Sequence, residues 1–185
     1  MKIFIDVETT GFNPFRDSVI ELGSIITDDK GIEIARFNQL CRPDPIGNGR
    51  FNWNKKAEET HGISYETAVK SQHPINLCVN YLNFLAEHVM RPLPLSMFTK
   101  NMAFDLRMLT GLMHKNLEHH YFGMYKFIKH NEWENIAAFM PDGLADNAKL
   151  ETIAKKLKIP HNAHRAIGDC EVTVELFKRY GVTNE

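Results

Sequence analysis

The sequence predicts an α/β domain in which helices flank a mixed sheet, and two features of its pattern carry this prediction. The first 41 residues contain strand-length apolar and alternating runs separated by turn residues. From about residue 74 onward, longer stretches with apolar residues at helical spacing alternate with short apolar runs. A hairpin series followed by alternating strands and helices is typical of a mixed sheet that carries helices on its faces.

Three strands are predicted at the start of the chain. The apolar run Lys2 to Asp6 indicates a central strand, and two alternating runs, Ser18 to Thr27 and Ile32 to Cys41, indicate its neighbours. The turn residues 28–31 join the second run to the third. We therefore expect a three-stranded antiparallel unit, followed by a loop over Pro43 to Asn54.

The next part of the chain alternates helices with one strand. Pro74 suits the first turn of a helix, Pro92 and Pro94 cannot continue it, and Asn101 can cap the next one. The predicted elements are a helix from Asn54 to Thr60, a helix from Pro74 to about His88, a fourth strand from Leu95 to Thr99 and a helix from Asn101 to about Lys115.

The pattern is weakest between Glu118 and Gly143. Here we predict an edge strand over Tyr121 to Ile128 and a helix over Glu132 to Phe139. Two further helices are predicted at the end of the chain, one capped by Asp146 and running to Leu157, and one from about Arg165 to Arg179 with Gly181 as its stop.

Size and composition limit the function classes. With 185 residues and no linker, the chain is expected to form one domain over residues 1–185. Its three cysteines are far apart, which argues against a disulfide framework or a zinc knuckle and favours a reducing compartment, the cytoplasm. No apolar run reaches membrane-spanning length, so no membrane partner is expected. The net charge of −1 excludes a strong overall basic field.

The strongest local signal lies at residues 4–12, which read FIDVETTGF. Asp6 and Glu8 are two apart on a predicted strand, so their side chains point to the same face. Two neighbouring carboxylates on an apolar strand are costly to desolvate unless a cation neutralises them. A hard divalent cation is the obvious neutraliser.

Two later segments add acids and a histidine. Residues 100–105, KNMAFD, bring Asp105 to the start of a predicted helix. Residues 164–169, HRAIGD, bring His164 and Asp169 to the start of the last one. Each acid taken alone would be an ordinary first-turn or surface residue, and only the joint pattern indicates a site.

In this order and chemistry, the set resembles the DEDDh 3′-to-5′ exonucleases, the DnaQ-like branch of the ribonuclease H-like superfamily. Asp6 and Glu8 match the first motif of that family, Asp105 the second, and Asp169 with His164 the third. Residues 57–63, AEETHGI, match a segment common in that branch. The resemblance spans nearly the whole chain and implies a ribonuclease H-like, five-stranded sheet of order 3-2-1-4-5 whose first three strands are antiparallel.

The resemblance also implies a cofactor. Two divalent cations, Mg²⁺ or Mn²⁺, can activate a water, neutralise charge at the phosphorus and stabilise the leaving oxygen. As the family assigns them, Asp6 and Asp169 hold the first ion, Glu8 helps to hold both, and Asp105 supports the second. An all-oxygen ligand set suits magnesium or manganese better than zinc.

His164 determines the branch of the family. A neutral imidazole can accept a proton from the attacking water near neutral pH, which makes His164 the expected general base. Its spacing to Asp169 is five residues, so we expect it in the loop before the helix and not stacked on it.

Substrate contacts follow from the turn after Glu8 and from the resemblance. The backbone of this turn can approach the terminal nucleotide, and an aromatic ring there can stack on a base. The expected substrate-binding residues are Thr9, Thr10, Gly11, Phe12, His61, Asn101 and Phe104. Packing under the turn is an equal alternative for Phe12, as is a core position for Phe104. Lys100 stands where relatives often have histidine, which would place a cation near the phosphate path.

The favoured interpretation is an exonuclease that acts on single-stranded DNA or RNA 3′ ends and releases nucleoside 5′-monophosphates, with DNA slightly favoured. One alternative is an exoribonuclease for short RNA or RNA 3′ ends. Another is a polymerase proofreading subunit, although the five residues after Tyr180 provide no tail for a polymerase. A third is an inactive nucleic-acid-binding module. The sequence leaves DNA versus RNA and the oligomeric state open.

Overall fold

The computed structural model describes residues 1–89, 95–117, 132–141, 143–144 and 149–182. A five-stranded sheet forms the centre of this part of the chain. Its strands are β1 (Lys2–Thr9), β2 (Val19–Thr27), β3 (Glu33–Leu40), β4 (Ser96–Thr99) and β5 (Glu132–Asn135), in the order β3-β2-β1-β4-β5. The predicted mixed α/β sheet and its strand order are confirmed.

Strand β1 occupies the middle of the sheet. It pairs antiparallel with β2 and parallel with β4, so its backbone is hydrogen-bonded on both sides. In the register with β2, Asp6 lies opposite Gly23 and Glu8 lies opposite Glu21. This register fixes the positions of the two acids along β1 relative to the residues of β2.

Helices cover both faces of the sheet. The helices are α1 (Lys55–His61), α2 (Tyr65–Val69), α3 (Pro74–His88), α4 (Met102–Asn116), α5 (Leu150–Leu157) and α6 (Ala166–Leu176), which continues into a π-helical turn at Phe177–Gly181. On one face, Ile3, Ile5 and Val7 of β1 belong to a core shared with α3 and α4. On the other face, Phe4 packs in a cluster with Val174 of α6.

Side chains of a strand alternate between the faces, so the even-numbered residues of β1 share the face of Phe4. Asp6 and Glu8 therefore point to the side of the sheet that carries α6. A close approach of α6 is possible because β2 has a glycine there. A Cβ atom on Gly23 would lie 2.5 Å from the carbonyl carbon of Ala166, the first residue of α6.

The prediction of a helix over Glu132 to Phe139 is wrong. Residues Glu132–Asn135 form β5, which pairs parallel with β4, and Ile136–Phe139 form a 3₁₀ turn. Glu and Ala favour a helix locally, but the free edge of β4 offers a ladder of hydrogen bonds, and tertiary pairing of this kind overrides local propensity. The edge strand expected at Tyr121 to Ile128 lies outside the described residues.

Most other boundaries agree with the sequence to within a residue, but β1 runs three residues beyond the predicted Asp6, to Thr9, and α6 ends three residues before the predicted Arg179, at Leu176. Helix α3 begins at Pro74 as expected and ends at His88, and the stops expected at Pro92 and Pro94 lie outside the described residues. Asn101 precedes α4 but makes no side-chain cap bond. Helix α5 begins at Leu150 with Lys149 in the cap position, so the prediction that Asp146 caps it is wrong; Asp146 itself lies outside the described residues.

The structure adds two small elements that the sequence did not predict. Within the predicted loop, Pro45–Ile46 and Arg50–Phe51 form a hairpin whose strands have two residues each. Beyond the loop, α2 follows α1 with Ser64 as its cap. No helix in the described part of the chain has both the length and the apolar character needed to cross a bilayer.

Candidate active site

Three acids meet at one point beside the central strand. One carboxylate oxygen from each of Asp6, Glu8 and Asp169 can be chosen so that all three lie within 4.8 Å of one another. Asp6 and Glu8 come from β1, and Asp169 comes from the first turn of α6. This is a spacing that one divalent cation can bridge with all-oxygen ligands.

The fourth acid of the predicted set reaches the same region from the other helical layer. Asp105 lies in the first turn of α4, is only 2% exposed, and accepts a hydrogen bond of 3.2 Å from the backbone N–H of Asn101. Its charge acts on Asp6 more strongly than any other acid of the site. The structure thus brings together all four acids that the sequence singled out.

The site is electrostatically crowded. Burial, and then the charges of Asp105, Asp169 and Glu8, raise the pKa of Asp6 well above its ordinary value. Burial and the charge of Asp169 are the main causes that raise the pKa of Glu8 to about 8. Burial raises the pKa of Asp105 to about 7. Without cations, these acids therefore resist ionisation at neutral pH.

Two cations of the chain partly offset this repulsion. Lys100 follows β4 directly, and its charge lowers the pKa of Asp6. Arg165 precedes α6, and its charge lowers the pKa of Glu8. Both pKa values remain raised, so the basic side chains alone do not balance the acids. The donor set and its unbalanced charge fit divalent cations.

The loop before α6 places two histidines differently from expectation. His161, not His164, contacts an acid of the site, since its Nε2 lies 2.5 Å from Oδ1 of Asp169. His164 is partly buried and has a left-handed backbone conformation with φ of 58°. It lies in the loop just before α6, as its spacing to Asp169 predicts.

Hydrogen bonds and close packing with Asp17 and Ser18 hold the turn that follows β1. Asp17 accepts a bond of 2.7 Å from the N–H of Asn13, and a Cβ on Gly11 would lie 2.4 Å from the carboxylate of Asp17. The N–H of Thr10 donates to the carbonyl of Ser18, so this amide is already hydrogen-bonded within the protein. The close packing of Gly11 explains why the turn requires a glycine at this position.

The aromatic residues expected at the substrate differ in exposure. Phe12 is 78% exposed and stands beside the partly buried Phe104, with ring centroids 5.9 Å apart. An exposed ring on a braced turn is available for stacking on a base, which favours that interpretation of Phe12 over packing beneath the turn. Asn101 is exposed at the start of α4.

His61 is buried at the end of α1. Its Nδ1 accepts a bond of 3.0 Å from the N–H of Ile63, and its Nε2 is buried. Burial lowers the pKa of His61, an effect that the backbone of Thr9 partly offsets. The neutral ring therefore carries its proton on Nε2, where it can donate.

One important contact was missed from the sequence. Glu21 is fully buried and accepts hydrogen bonds from Nε and Nη2 of Arg165. The two residues are 144 positions apart, and a strand acid opposite Glu8 gives no local sign of such a partner. The only hint is the register of the first two predicted strands, which puts Glu21 beside the acidic motif.

Comparisons with known proteins agree with this geometry. A family model described as exonuclease matches residues 3–177. Oligoribonuclease of Nitrosomonas europaea is 35% identical over 94 residues, 47% of this chain and 49% of that protein. The PolC-type DNA polymerase III of Clostridium perfringens is 28% identical over 180 residues, 95% of this chain but 11% of the polymerase. The chain thus spans about half the length of these oligoribonucleases.

Solved structures share the fold. A complex of Escherichia coli exonuclease I with single-stranded DNA has a TM-score of 0.73 at 21% identity, covering 95% of this chain and 39% of that one. Exonuclease I of Methylocaldum szegediense has a TM-score of 0.72 at 18% identity, covering 96% of this chain and 40% of that one. The chain therefore corresponds to less than half of either protein.

The crowded acids predict how stability depends on pH in the metal-free protein. The pKa of Glu8 rises from an ordinary 4.5 to about 8 on folding, so the folded state holds a proton that the unfolded state releases. The stability contributed by this protonation is complete below pH 4.5 and is lost as the pH rises through about 8. We expect the melting temperature without metal to fall across this range.

The variant Glu8→Gln removes this titration. Its melting temperature at pH 8 without metal should exceed that of the wild type by several degrees, because about 1 kcal/mol corresponds to roughly 2–4 °C for a chain of this size. At pH 5 the two proteins should differ little. Glu66→Gln, in an exposed pair on α2, is the control. Equal melting curves for Glu8→Gln and the wild type at pH 8 would contradict the crowding argument.

Proposed function

The chain belongs to the exonuclease family whose model spans residues 3–177, and on that premise we propose that it is a metal-dependent 3′-to-5′ exonuclease. Its substrate would be single-stranded nucleic acid, from which it releases nucleoside 5′-monophosphates. The observation that carries this proposal is the meeting of Asp6, Glu8 and Asp169 within 4.8 Å, with Asp105 close by.

Each acid of the site has a place in the proposed reaction. Asp6, Glu8, Asp105 and Asp169 would hold two Mg²⁺ or Mn²⁺ ions, which would neutralise charge at the phosphorus, stabilise the leaving oxygen and lower the pKa of the attacking water. The antiparallel pairing of β1 with β2 keeps Asp6 and Glu8 side by side. Asp169 and Asp105 approach from the two helical layers, which fixes the spacing between the ligand groups.

His164 is the proposed general base, which accepts the proton of the attacking water. Its position in the loop before α6 leaves the imidazole free of the helix, and the base must be neutral to act. His161 competes for this assignment because it already contacts Asp169 at 2.5 Å. In the proposal this contact holds Asp169 in the absence of metal and is given up when the carboxylate binds cations.

The substrate would be gripped at the turn after β1. The exposed Phe12 is proposed to stack on the terminal bases, supported by Phe104 beneath it. The Nε2–H of His61 and the backbone of Thr9 and Gly11 are proposed to meet the terminal sugar. Thr10 supports this turn from inside, because its N–H and hydroxyl bond Ser18.

DNA and RNA are both possible substrates of this site. Similarity to oligoribonucleases favours short RNA, whereas similarity over nearly the whole chain to part of a polymerase favours DNA and a proofreading role. We propose a single-stranded 3′ end as the common feature and slightly favour DNA. Degradation of paired DNA and RNA oligomers of graded length by the purified protein separates the alternatives.

The first prediction concerns the metals. Activity should require Mg²⁺ or Mn²⁺ and be lost in excess chelator. Without the metal ions, the negative charge on the phosphate oxygens is not neutralised. Asp6→Asn and Asp169→Asn should each abolish turnover with the fold retained, as judged by circular dichroism. Asp29→Asn, in the exposed turn at the opposite end of β1, should keep full activity. Full degradation in excess chelator would remove the metal mechanism.

The second prediction concerns direction. If the turn after Glu8 receives a free 3′ end, a 3′-phosphate or a circular single strand should resist degradation, while a blocked 5′ end should not matter. The measurement is the product ladder from labelled oligomers that carry each block. Efficient cutting of circles would replace the exonuclease proposal with an endonuclease.

The third prediction separates the two histidines. His164→Ala should lower the single-turnover rate by roughly 10²–10⁴-fold with substrate binding largely kept, because proton abstraction is lost while the metals and the stacking ring remain. His161→Ala should have a mild effect, since its contact is with a group that binds metal in the active state. A larger loss for His161→Ala would assign the base to His161.

A further inference from the structure

The pair formed by Glu21 and Arg165 lies directly behind the proposed active site. The carboxylate of Glu21 is fully buried on β2, opposite Glu8 in the strand register. It accepts bonds of 2.6 Å from Nη2 and 3.0 Å from Nε of Arg165. Bidentate bonds of this kind fix both the distance and the orientation of the guanidinium group.

The same carboxylate also holds the start of α6. Its Oε2 accepts a bond of 3.1 Å from the backbone N–H of Ala166, the first residue of that helix. One buried acid therefore satisfies a helix N-terminal amide and the side chain of the residue before it. The close approach permitted by Gly23 lets the helix come near enough for these bonds.

These bonds continue to the residues proposed for catalysis. The carbonyl of Arg165 accepts a bond of 3.0 Å from the N–H of Asp169, so the first turn of α6 links the pair to a metal ligand. His164 precedes Arg165 directly and has a left-handed backbone conformation. The bonds that hold Arg165 in place therefore also restrict the backbone positions of Asp169 and His164 relative to Glu8.

We propose that Glu21 and Arg165 are positioning residues, which set Asp169 and His164 against the acids of β1. The inference rests on the proposed exonuclease function for the roles of those two residues. A second ion pair allows it to be separated from general helix docking. Arg36 of β3 binds Glu171 of α6 at 2.7 Å and also Glu33 of its own strand, but the Arg36 and Glu171 side chains are about half exposed, and no bond from either to the backbone of the loop is present in the described residues.

The experiment compares Arg165→Met with Arg36→Met. Both changes break an arginine pair that connects the sheet to α6, so loss of docking alone should affect both. We expect Arg165→Met to lower kcat at saturating Mn²⁺ by about 10–100-fold, with KM for an oligonucleotide within about twofold of wild type. Its Mn²⁺ affinity without nucleic acid, measured by electron paramagnetic resonance, should also weaken. Arg36→Met should change neither quantity by more than about twofold.

A double variant separates a loss of positioning from a loss of stability. Arg165→Met leaves a buried carboxylate without its partner, which can unfold the chain. The double variant Glu21→Met with Arg165→Met removes both charges and replaces them with apolar groups, so its melting temperature should recover. Its kcat and Mn²⁺ affinity should stay low, because the bonds that orient the loop are still missing.

Arg165→Lys tests the geometry of the bonds. It keeps the positive charge beside Glu21 but cannot donate two parallel bonds. We expect kcat to stay several-fold below wild type although the melting temperature is nearly kept. A stability role alone predicts that both quantities recover together.

The outcomes are distinct. Loss of Mn²⁺ affinity in both Arg165→Met and Arg165→Lys locates the effect at Asp169, because the lysine keeps the charge that acts on Glu8. Loss of kcat alone locates it at His164, and either result supports the inference. Wild-type values of both in Arg165→Met, equal losses in Arg36→Met, or recovery of both in the double variant would overturn it. If the wild type degrades no nucleic acid, the proposed function fails, and Mn²⁺ binding still tests the pair.

Discussion

Repulsion between carboxylates held together at the central strand is the constraint on which the rest of this structure depends. The antiparallel ladder with β2 holds Asp6 and Glu8 in place, because they pair with Gly23 and Glu21 there, whereas the pairing of β1 with β4 ends at Phe4. Burial raises the pKa of both residues, and the charges of Asp105 and Asp169 raise both pKa values further. The fold thus maintains an arrangement that is unfavourable without cations and becomes favourable when divalent ions bind, which is how a structure can be prepared for phosphate chemistry.

The surrounding layers explain how such a site can be both rigid and accessible. The core beneath β1 is apolar and includes Ile3 and Ile5, which supplies the stability that the acids reduce. The opposite layer approaches closely at Gly23, where α6 places Asp169 beside the strand. Each helical layer contributes one acid through its first turn, where free amides and the helix dipole tolerate negative charge. The acids therefore come from rigid elements, and the braced turn after Glu8 offers the exposed ring.

Sequence reasoning located the four acids because Asp6 and Glu8 lie in a distinctive motif and Asp105 and Asp169 complete a joint pattern with it, while the hairpin series at the start of the chain predicted the sheet. It failed where structure depends on distant partners. The segment Glu132–Asn135 is a strand because β4 offers an open edge, which no local pattern reveals. Glu21 has the same alternating context as any strand acid, and its partner Arg165 lies 144 residues away. The contact of His161 with Asp169 likewise depends on how the loop folds back onto α6.

The distribution of charge suggests how substrate would be recognised. The net charge of the chain is −1, so no general field attracts a polyanion. Lys100 and Arg165 act locally on Asp6 and Glu8, yet the pKa values of both acids remain raised. In the proposed function, binding of a phosphodiester would depend on the cations that the acids are proposed to hold, together with stacking on Phe12. Recognition that combines the cations with stacking would favour an unpaired chain end and not a duplex. Only an unpaired end presents a phosphate and an unstacked base together.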